Sequence, residues 1–157
     1  MNALIESLKA QHVAVQAIVL RMNAAIERGD LASVQRELTS LKTGLLAHLA
    51  QEDAELYPSL DKAIGQRSNQ NLTVLVRSFS TNIGQISEAL SRFLEKYEGK
   101  TLPLDLFSKE WTHISRVLAS RIRSEEETLY PLFQKLVEGD NKARPVTLPD
   151  QLARVVR

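Results

Sequence analysis

HLAQEDAELYP at residues 48–58 and RIRSEEETLYP at residues 121–131 are two copies of one helical pattern. Each copy carries a glutamate, Glu52 or Glu125, that is followed four residues later by leucine and then by Tyr-Pro. The apolar positions before each glutamate also correspond, so the two halves of the chain look like two copies of one helical hairpin. This repeat indicates that the fold consists of two similar halves.

Apolar residues recur at alternating gaps of three and four along nearly the whole chain, which is typical of helices that bury one face. Four such stripes are present, and they end near Gly29, Gly65, Gly99 and Gly139. Their members are Ile5, Leu8, His12, Val15, Val19, Met22 and Ile26; Val34, Leu38, Leu41, Leu45, His48, Glu52 and Leu56; Leu72, Val76, Phe79, Ile83, Ile86, Leu90, Phe93 and Tyr97; and Phe107, Trp111, Ile114, Leu118, Arg121, Glu125 and Leu129. Because short connections make neighbouring helices antiparallel, we predict an all-α, up-and-down antiparallel four-helix bundle.

The predicted bundle occupies residues 1–140, and a C-terminal tail occupies residues 141–157. Pro58 and Pro131 fall inside the second and fourth helices, where each should cause a kink or a restart as a short second piece. The tail contains two prolines followed by DQLARVV, which predicts a short extra helix.

Composition limits the classes of function. The 157 residues include no cysteine, so a metal site must use nitrogen and oxygen ligands. The net charge is +1 with scattered charges, which does not favour nucleic-acid binding. Neither a signal peptide nor a transmembrane span fits the N-terminal segment, so we expect a soluble, cytoplasmic protein with no membrane partner.

Polar residues interrupt the apolar stripes at five positions, which are His12, His48, Glu52, Arg121 and Glu125. Burying such side chains costs several kcal/mol unless partners satisfy them. Two histidines and two carboxylates that meet from three helices could form a metal site, as helical bundles often do. The alternative is a buried ion-pair cluster in which Arg121 bridges Glu52 and Glu125 without a metal.

With these motifs the chain resembles the hemerythrin-like (HHE cation-binding) family. In that family each hairpin supplies a histidine from its first helix and His-x-x-x-Glu from its second, followed by an apolar-aromatic-Pro ending. The resemblance covers roughly residues 1 to 138. It implies a bundle that holds two irons bridged by two carboxylates and that binds oxygen or senses oxygen or iron.

The second half of the chain departs from the family pattern. Glu125 keeps the bridging carboxylate, but Arg121 stands where the second histidine belongs, and Ile83 falls where His12 would repeat. Arginine stays protonated and isoleucine has no lone pair, so neither side chain can bind a cation. The resemblance therefore implies a degenerate second half that lacks the family's second iron.

The remaining donors can hold one ion of Fe(II), Zn or Mn, and they are His12, His48, Glu52 and Glu125. We expect at most one iron or other divalent metal, or none. The leading hypothesis is a non-enzymatic binding or signalling protein with an incomplete di-iron centre and a protein partner at the bundle surface. The alternatives are an iron or oxygen sensor with a mononuclear site, and a mononuclear non-haem iron enzyme. The sequence does not indicate the oligomeric state.

Four further side chains and one acidic run carry specific expectations. Arg121 should be largely buried and hydrogen-bonded to Glu52, Glu125 or both, since it lies on the inward stripe. Tyr57 and Tyr130 should pack at the bundle end with their hydroxyls on backbone groups or water. The acidic run from Glu125 to Glu127 should be a solvated face beyond its first member, and His113 should be a surface or boundary residue.

Overall fold

A computed structural model of the protein describes residues 2–67, 69–100 and 103–138, and these are almost entirely helical with no strand. The α-helices are α1 (Ala3–Arg28), α2 (Leu31–Gln51), α3 (Tyr57–Gly65), α4 (Gln70–Tyr97), α5 (Leu104–Ser124) and α6 (Tyr130–Phe133). The predicted four-helix bundle is confirmed. Segments α2 and α3 together form the second long helix of the bundle, and α5 and α6 form the fourth. The predicted tail at residues 141–157 and the stop at Gly139 lie outside the described residues.

The first connection shows why neighbouring helices run antiparallel. Gly29 adopts a left-handed backbone with φ of 65°, which lets α1 end within one residue. Asp30 then caps α2 by accepting a hydrogen bond from the Ser33 amide. With so short a connection, α2 must fold back along α1.

Both predicted breaks are π-helical turns, at Glu52–Leu56 and Glu125–Leu129. In each turn the amide of the next residue, Tyr57 or Tyr130, bonds to the carbonyl five residues earlier. A proline follows each tyrosine. In a regular α-helix the proline ring would clash with the carbonyl four residues earlier, and the proline nitrogen has no hydrogen to donate to that carbonyl. The wider turn accommodates the proline, and the helix then resumes instead of breaking.

The core consists of two apolar clusters separated by one polar layer. One cluster includes Leu41 and Trp111, and the other includes Leu8 and Tyr130. The polar layer contains the five stripe residues His12, His48, Glu52, Arg121 and Glu125, all of which are buried. On α4, the half-buried Ile83 falls in sequence between residues of the two clusters.

Small shifts separate the predicted stripes from the buried faces. On α1, Ile18 and Ala25 are buried, whereas Val19 and Ile26 are only half-buried. The three-and-four spacing can pass through either neighbour, so the sequence alone does not choose between them.

Helix α1 is long and apolar enough to cross a membrane by length and composition alone, with a mean hydropathy of 1.2 over 18 residues. Length and composition alone do not contradict the sequence expectation that this segment is not a transmembrane span, and that expectation stays a prediction. A core helix of a bundle meets it as well, and α1 buries Ile5, Leu8 and His12 against the other helices.

Candidate metal centre

Four side chains of the polar layer converge on one point inside the bundle. His12 comes from α1, His48 from α2, and Glu52 and Glu125 begin the two π-helical turns. Their exposed fractions are 1%, 4%, 0% and 1%, respectively. Each offers one nitrogen or oxygen atom, and these four atoms lie within 4.8 Å of one another. The structure thus brings together all four residues predicted to be metal ligands; their binding of a metal stays a prediction.

The distances between the four atoms match those of ligands around one ion. His12 Nε2 lies 2.8 Å from Glu125 Oε1 and 3.2 Å from His48 Nε2. His48 Nε2 lies 3.4 Å from both Glu52 Oε2 and Glu125 Oε1. Bonds of about 2.0–2.2 Å to a single cation place neighbouring ligand atoms about 3–3.5 Å apart.

Outer hydrogen bonds orient both imidazole rings. His12 Nδ1 lies 2.7 Å from Glu126 Oε2, and since a carboxylate only accepts, the nitrogen donates. His48 Nδ1 lies 2.7 Å from Gln11 Oε1. The Gln11 amide nitrogen donates to Gln51 Oε1 at 2.5 Å, which fixes the Gln11 oxygen toward His48. Both histidines therefore present Nε2 to the centre, as metal-bound histidines commonly do.

The centre contains an excess of hydrogen-bond acceptors. Two imidazole nitrogens and two carboxylates face one another, and Glu52 Oε1 is buried with no hydrogen-bond partner among the described residues. Buried acceptors at this density require either bound protons or a cation. The nitrogen and oxygen donor set fits Fe(II), Zn or Mn.

Without a cation, the environment of the centre favours the protonated forms of His48 and Glu52 through their raised pKa values. Burial alone would lower the pKa of His48, but hydrogen bonds with Glu125 and Glu52 outweigh it and raise this pKa to about 9. Burial raises the pKa of Glu52. Burial has the same tendency at Glu125, but hydrogen bonds with His12 and His48 outweigh it, and the pKa of Glu125 is lowered. A cation that binds here would replace the proton on His48 Nε2.

Arg121 is buried, with 7% of its surface exposed, and donates from Nε to Glu125 Oε2 at 3.0 Å. This confirms the prediction that it is paired inside the bundle. Its carboxylate partner is Glu125, so the ion-pair alternative in which Arg121 bridges Glu52 and Glu125 does not form.

The rest of the guanidinium is also satisfied. Its contacts are Tyr57 Oη at 2.6 Å from Nη2, Asn82 Oδ1 at 2.9 Å from Nη1, and the Phe79 ring, whose centroid lies 4.9 Å from Cζ. Glu125 therefore faces imidazoles with one oxygen and a guanidinium with the other. A cavity of about 20 Å³ is bordered by Ile83 and Arg121 together with three of the ligand residues, His12, His48 and Glu125.

Sequence reasoning missed three contributors to the centre, which are Glu126, Tyr130 and Gln11, and it also missed Tyr57 as a partner of Arg121. Glu126, expected on a solvated face, is half-buried and holds His12. The Tyr130 hydroxyl lies 2.8 Å from Glu52 Oε2, and the Tyr57 hydroxyl accepts from Arg121, so the expectation of backbone or water partners was wrong. The one available signal was Pro131, because the π-helical turn before it changes which residues face inward. Nothing in the sequence pattern indicated the hydrogen bond between Gln11 and His48. His113 is exposed, as expected.

A helical bundle that directs histidines and carboxylates from several helices to one buried point belongs to the class of helical metal-binding domains. The family model described as hemerythrin HHE cation binding domain matches residues 3–133, and the chain is a member of that family. The membership implies binding of iron or another divalent metal. No significant match was found among curated proteins or among solved structures.

Replacing Arg121 with alanine should destabilise the fold. The change leaves Glu125 Oε2 buried without its counter-charge, which should lower the free energy of unfolding of the metal-free protein by about 3–5 kcal/mol. Arg123, which is exposed on the same helix, is the matched control, and Arg123→Ala should change it by less than about 0.5 kcal/mol. Urea denaturation followed by circular dichroism measures both. Equal stability of the two variants contradicts the role assigned to Arg121.

Proposed function

We propose that this protein binds one divalent metal ion through His12, His48, Glu52 and Glu125 and acts as a non-enzymatic binding or signalling protein. The observation that carries the proposal is the convergence of buried acceptor atoms within 4.8 Å of one another. Outer hydrogen bonds direct both imidazoles inward, so their Nε2 atoms face the two carboxylates at a point where acceptors outnumber donors. A bound cation relieves that arrangement.

Arg121 supports a single ion over two. Family members with two irons need a second set of donors on the far side of the bridging carboxylate. Here that side of Glu125 meets the Arg121 guanidinium, whose positive charge repels a cation. Ile83, at the position of the missing histidine, offers no donor atom.

Iron is the first candidate because of the family, and the mixed imidazole and carboxylate donors also suit Mn or Zn. Bound iron would supply redox chemistry and small-ligand binding. The chain's own contribution is to orient His12 through Glu126, to orient His48 through Gln11, and to exclude bulk water from the ligands.

The burial of the site supports a role without catalysis. The neighbouring cavity of about 20 Å³ has room for about one water molecule, which is too small for an organic substrate. A cation would join α1, α2 and the turn after α5, so its binding energy would add to the stability of the bundle. A protein partner that binds the bundle surface would then distinguish the metal-bound protein from the metal-free protein. The exposed apolar residues Val13 and Leu20 on α1, which are 65% and 70% exposed, offer such a surface. We place this activity in the cytoplasm.

A second candidate function is an iron or oxygen sensor at the same site. The cavity favours it, because a space of this size next to His48 and Glu125 admits a small diatomic molecule. An absorption band of the iron-loaded protein that changes reversibly with oxygen would support the sensor. A spectrum insensitive to oxygen would favour the inert metal-binding bundle.

Metal content tests the proposed function directly. Metal-free protein reloaded with Fe(II) under anaerobic conditions, or with Zn, should retain about one equivalent per chain after desalting, because the site has one set of four donors. His48→Ala should lose most of this metal. His113→Ala is the matched control, since His113 is exposed and outside the cluster, and it should retain the metal. Elemental analysis that finds two equivalents, or none, contradicts the proposal.

Removing the hydrogen bond behind His12 should weaken metal binding. Glu126→Ala frees the His12 ring, and loss of such an outer partner typically costs about 10–100-fold in metal affinity. Glu127→Ala removes a neighbouring carboxylate that is exposed, and it should leave the affinity nearly unchanged. Competition with a chromogenic chelator measures both dissociation constants. Equal affinities for the two variants would contradict the role assigned to the hydrogen bond between Glu126 and His12.

A further inference from the structure

The hydroxyl of Tyr130 lies among the atoms of the candidate metal centre. Tyr130 is fully buried at the start of α6, directly after the second π-helical turn. Its Oη lies 2.8 Å from Glu52 Oε2, 3.2 Å from Glu125 Oε1 and 3.2 Å from His12 Nε2. These separations lie within the range found among the four ligand atoms themselves. By distance, Tyr130 Oη belongs to the same set of donors.

The tyrosine ring is held in this position by packing. It stacks on the His12 imidazole with ring centroids 5.4 Å apart and an angle of 16° between the planes. Every hydrogen bond of its hydroxyl that the structure shows is made with a residue of the centre. Its hydroxyl is thus directed at the centre and at no other group described.

The equivalent tyrosine of the first repeat has a different role. Tyr57 Oη accepts a hydrogen bond from Arg121 Nη2 at 2.6 Å, and in the described part of the chain it makes none with the four ligand residues. The two tyrosines therefore occupy the same position in the repeat, while one serves the arginine and the other the candidate metal centre.

We propose that Tyr130 Oη is a fifth ligand of the centre, as a phenolate bound to ferric iron. This inference rests on the proposed function, namely that iron binds at His12, His48, Glu52 and Glu125. If bound ferrous iron gave one electron to a one-electron acceptor, Tyr130 would release its hydroxyl proton to solvent, and the phenolate oxygen left behind would bind the ferric ion. Oxidation adds one positive charge and loss of the proton adds one negative charge. The net charge of the buried site is therefore unchanged, which avoids the cost of burying an additional charge.

The experiment uses the full chain as wild type, Tyr130→Phe and Tyr57→Phe. Each protein is loaded with Fe(II) without oxygen and then oxidised with ferricyanide, which accepts one electron per iron. Ferric wild type should show a visible phenolate-to-iron charge-transfer band and, in resonance Raman spectra, the vibrations of an iron-bound phenolate. Tyr130→Phe should lose both signals and still contain about one iron, because four ligands remain. Tyr57→Phe should keep both signals.

The outcomes separate this inference from the proposed function. Iron bound to wild type without the band, or a band that persists in Tyr130→Phe, overturns the ligand role of Tyr130 and leaves the metal site intact. A wild type that binds no iron overturns the metal site and the ligand role together. The wild-type spectrum decides the question even if Tyr130→Phe fails to fold.

Discussion

The structure depends on the satisfaction of one buried carboxylate. Glu125 is 1% exposed, and its two oxygens face different partners, the imidazole of His12 on one side and the guanidinium of Arg121 on the other. An ionised carboxylate cannot stay in a helical core without such partners. Two large apolar clusters on either side keep water out of the layer, so its charges must be balanced within it. This requirement accounts for the presence of histidines and an arginine on otherwise apolar helix faces.

The two halves of the bundle have the same backbone arrangement around the buried carboxylates but different side chains that balance their charge. Each half has a π-helical turn that begins with a glutamate and ends before a Tyr-Pro pair. The residue four positions before the glutamate is His48 in the first half and Arg121 in the second half. One position thus offers a lone pair and the other a fixed positive charge. The repeated helical hairpin therefore carries one candidate metal centre and one permanent ion pair, between Arg121 and Glu125.

Periodicity predicted the fold and the polar layer, because burial of a helix face determines which positions are apolar. It could also identify His12, His48, Glu52 and Glu125, since polar residues on a buried stripe need partners. It could not predict Glu126, because that residue lies in an acidic run off the apolar stripe and its hydrogen bond is with His12 of another helix. The hydrogen bonds of Gln11, Tyr57 and Tyr130 depend on side chains from other helices, and spacing along one helix contains no information on them.

The arginine also affects how a metal would act on the bundle. Its guanidinium holds Glu125 Oε2, Tyr57 and Asn82 whether or not a cation is present, so the second half of the polar layer stays intact. The first half has no permanent cation and relies on protons in the metal-free protein. Under the proposed function, metal binding and release therefore change the contacts of α1 and α2 while those between α4 and α5 persist. A bundle built in this way can respond to a metal without unfolding, which suits signalling better than a symmetric site that loses all its cations together.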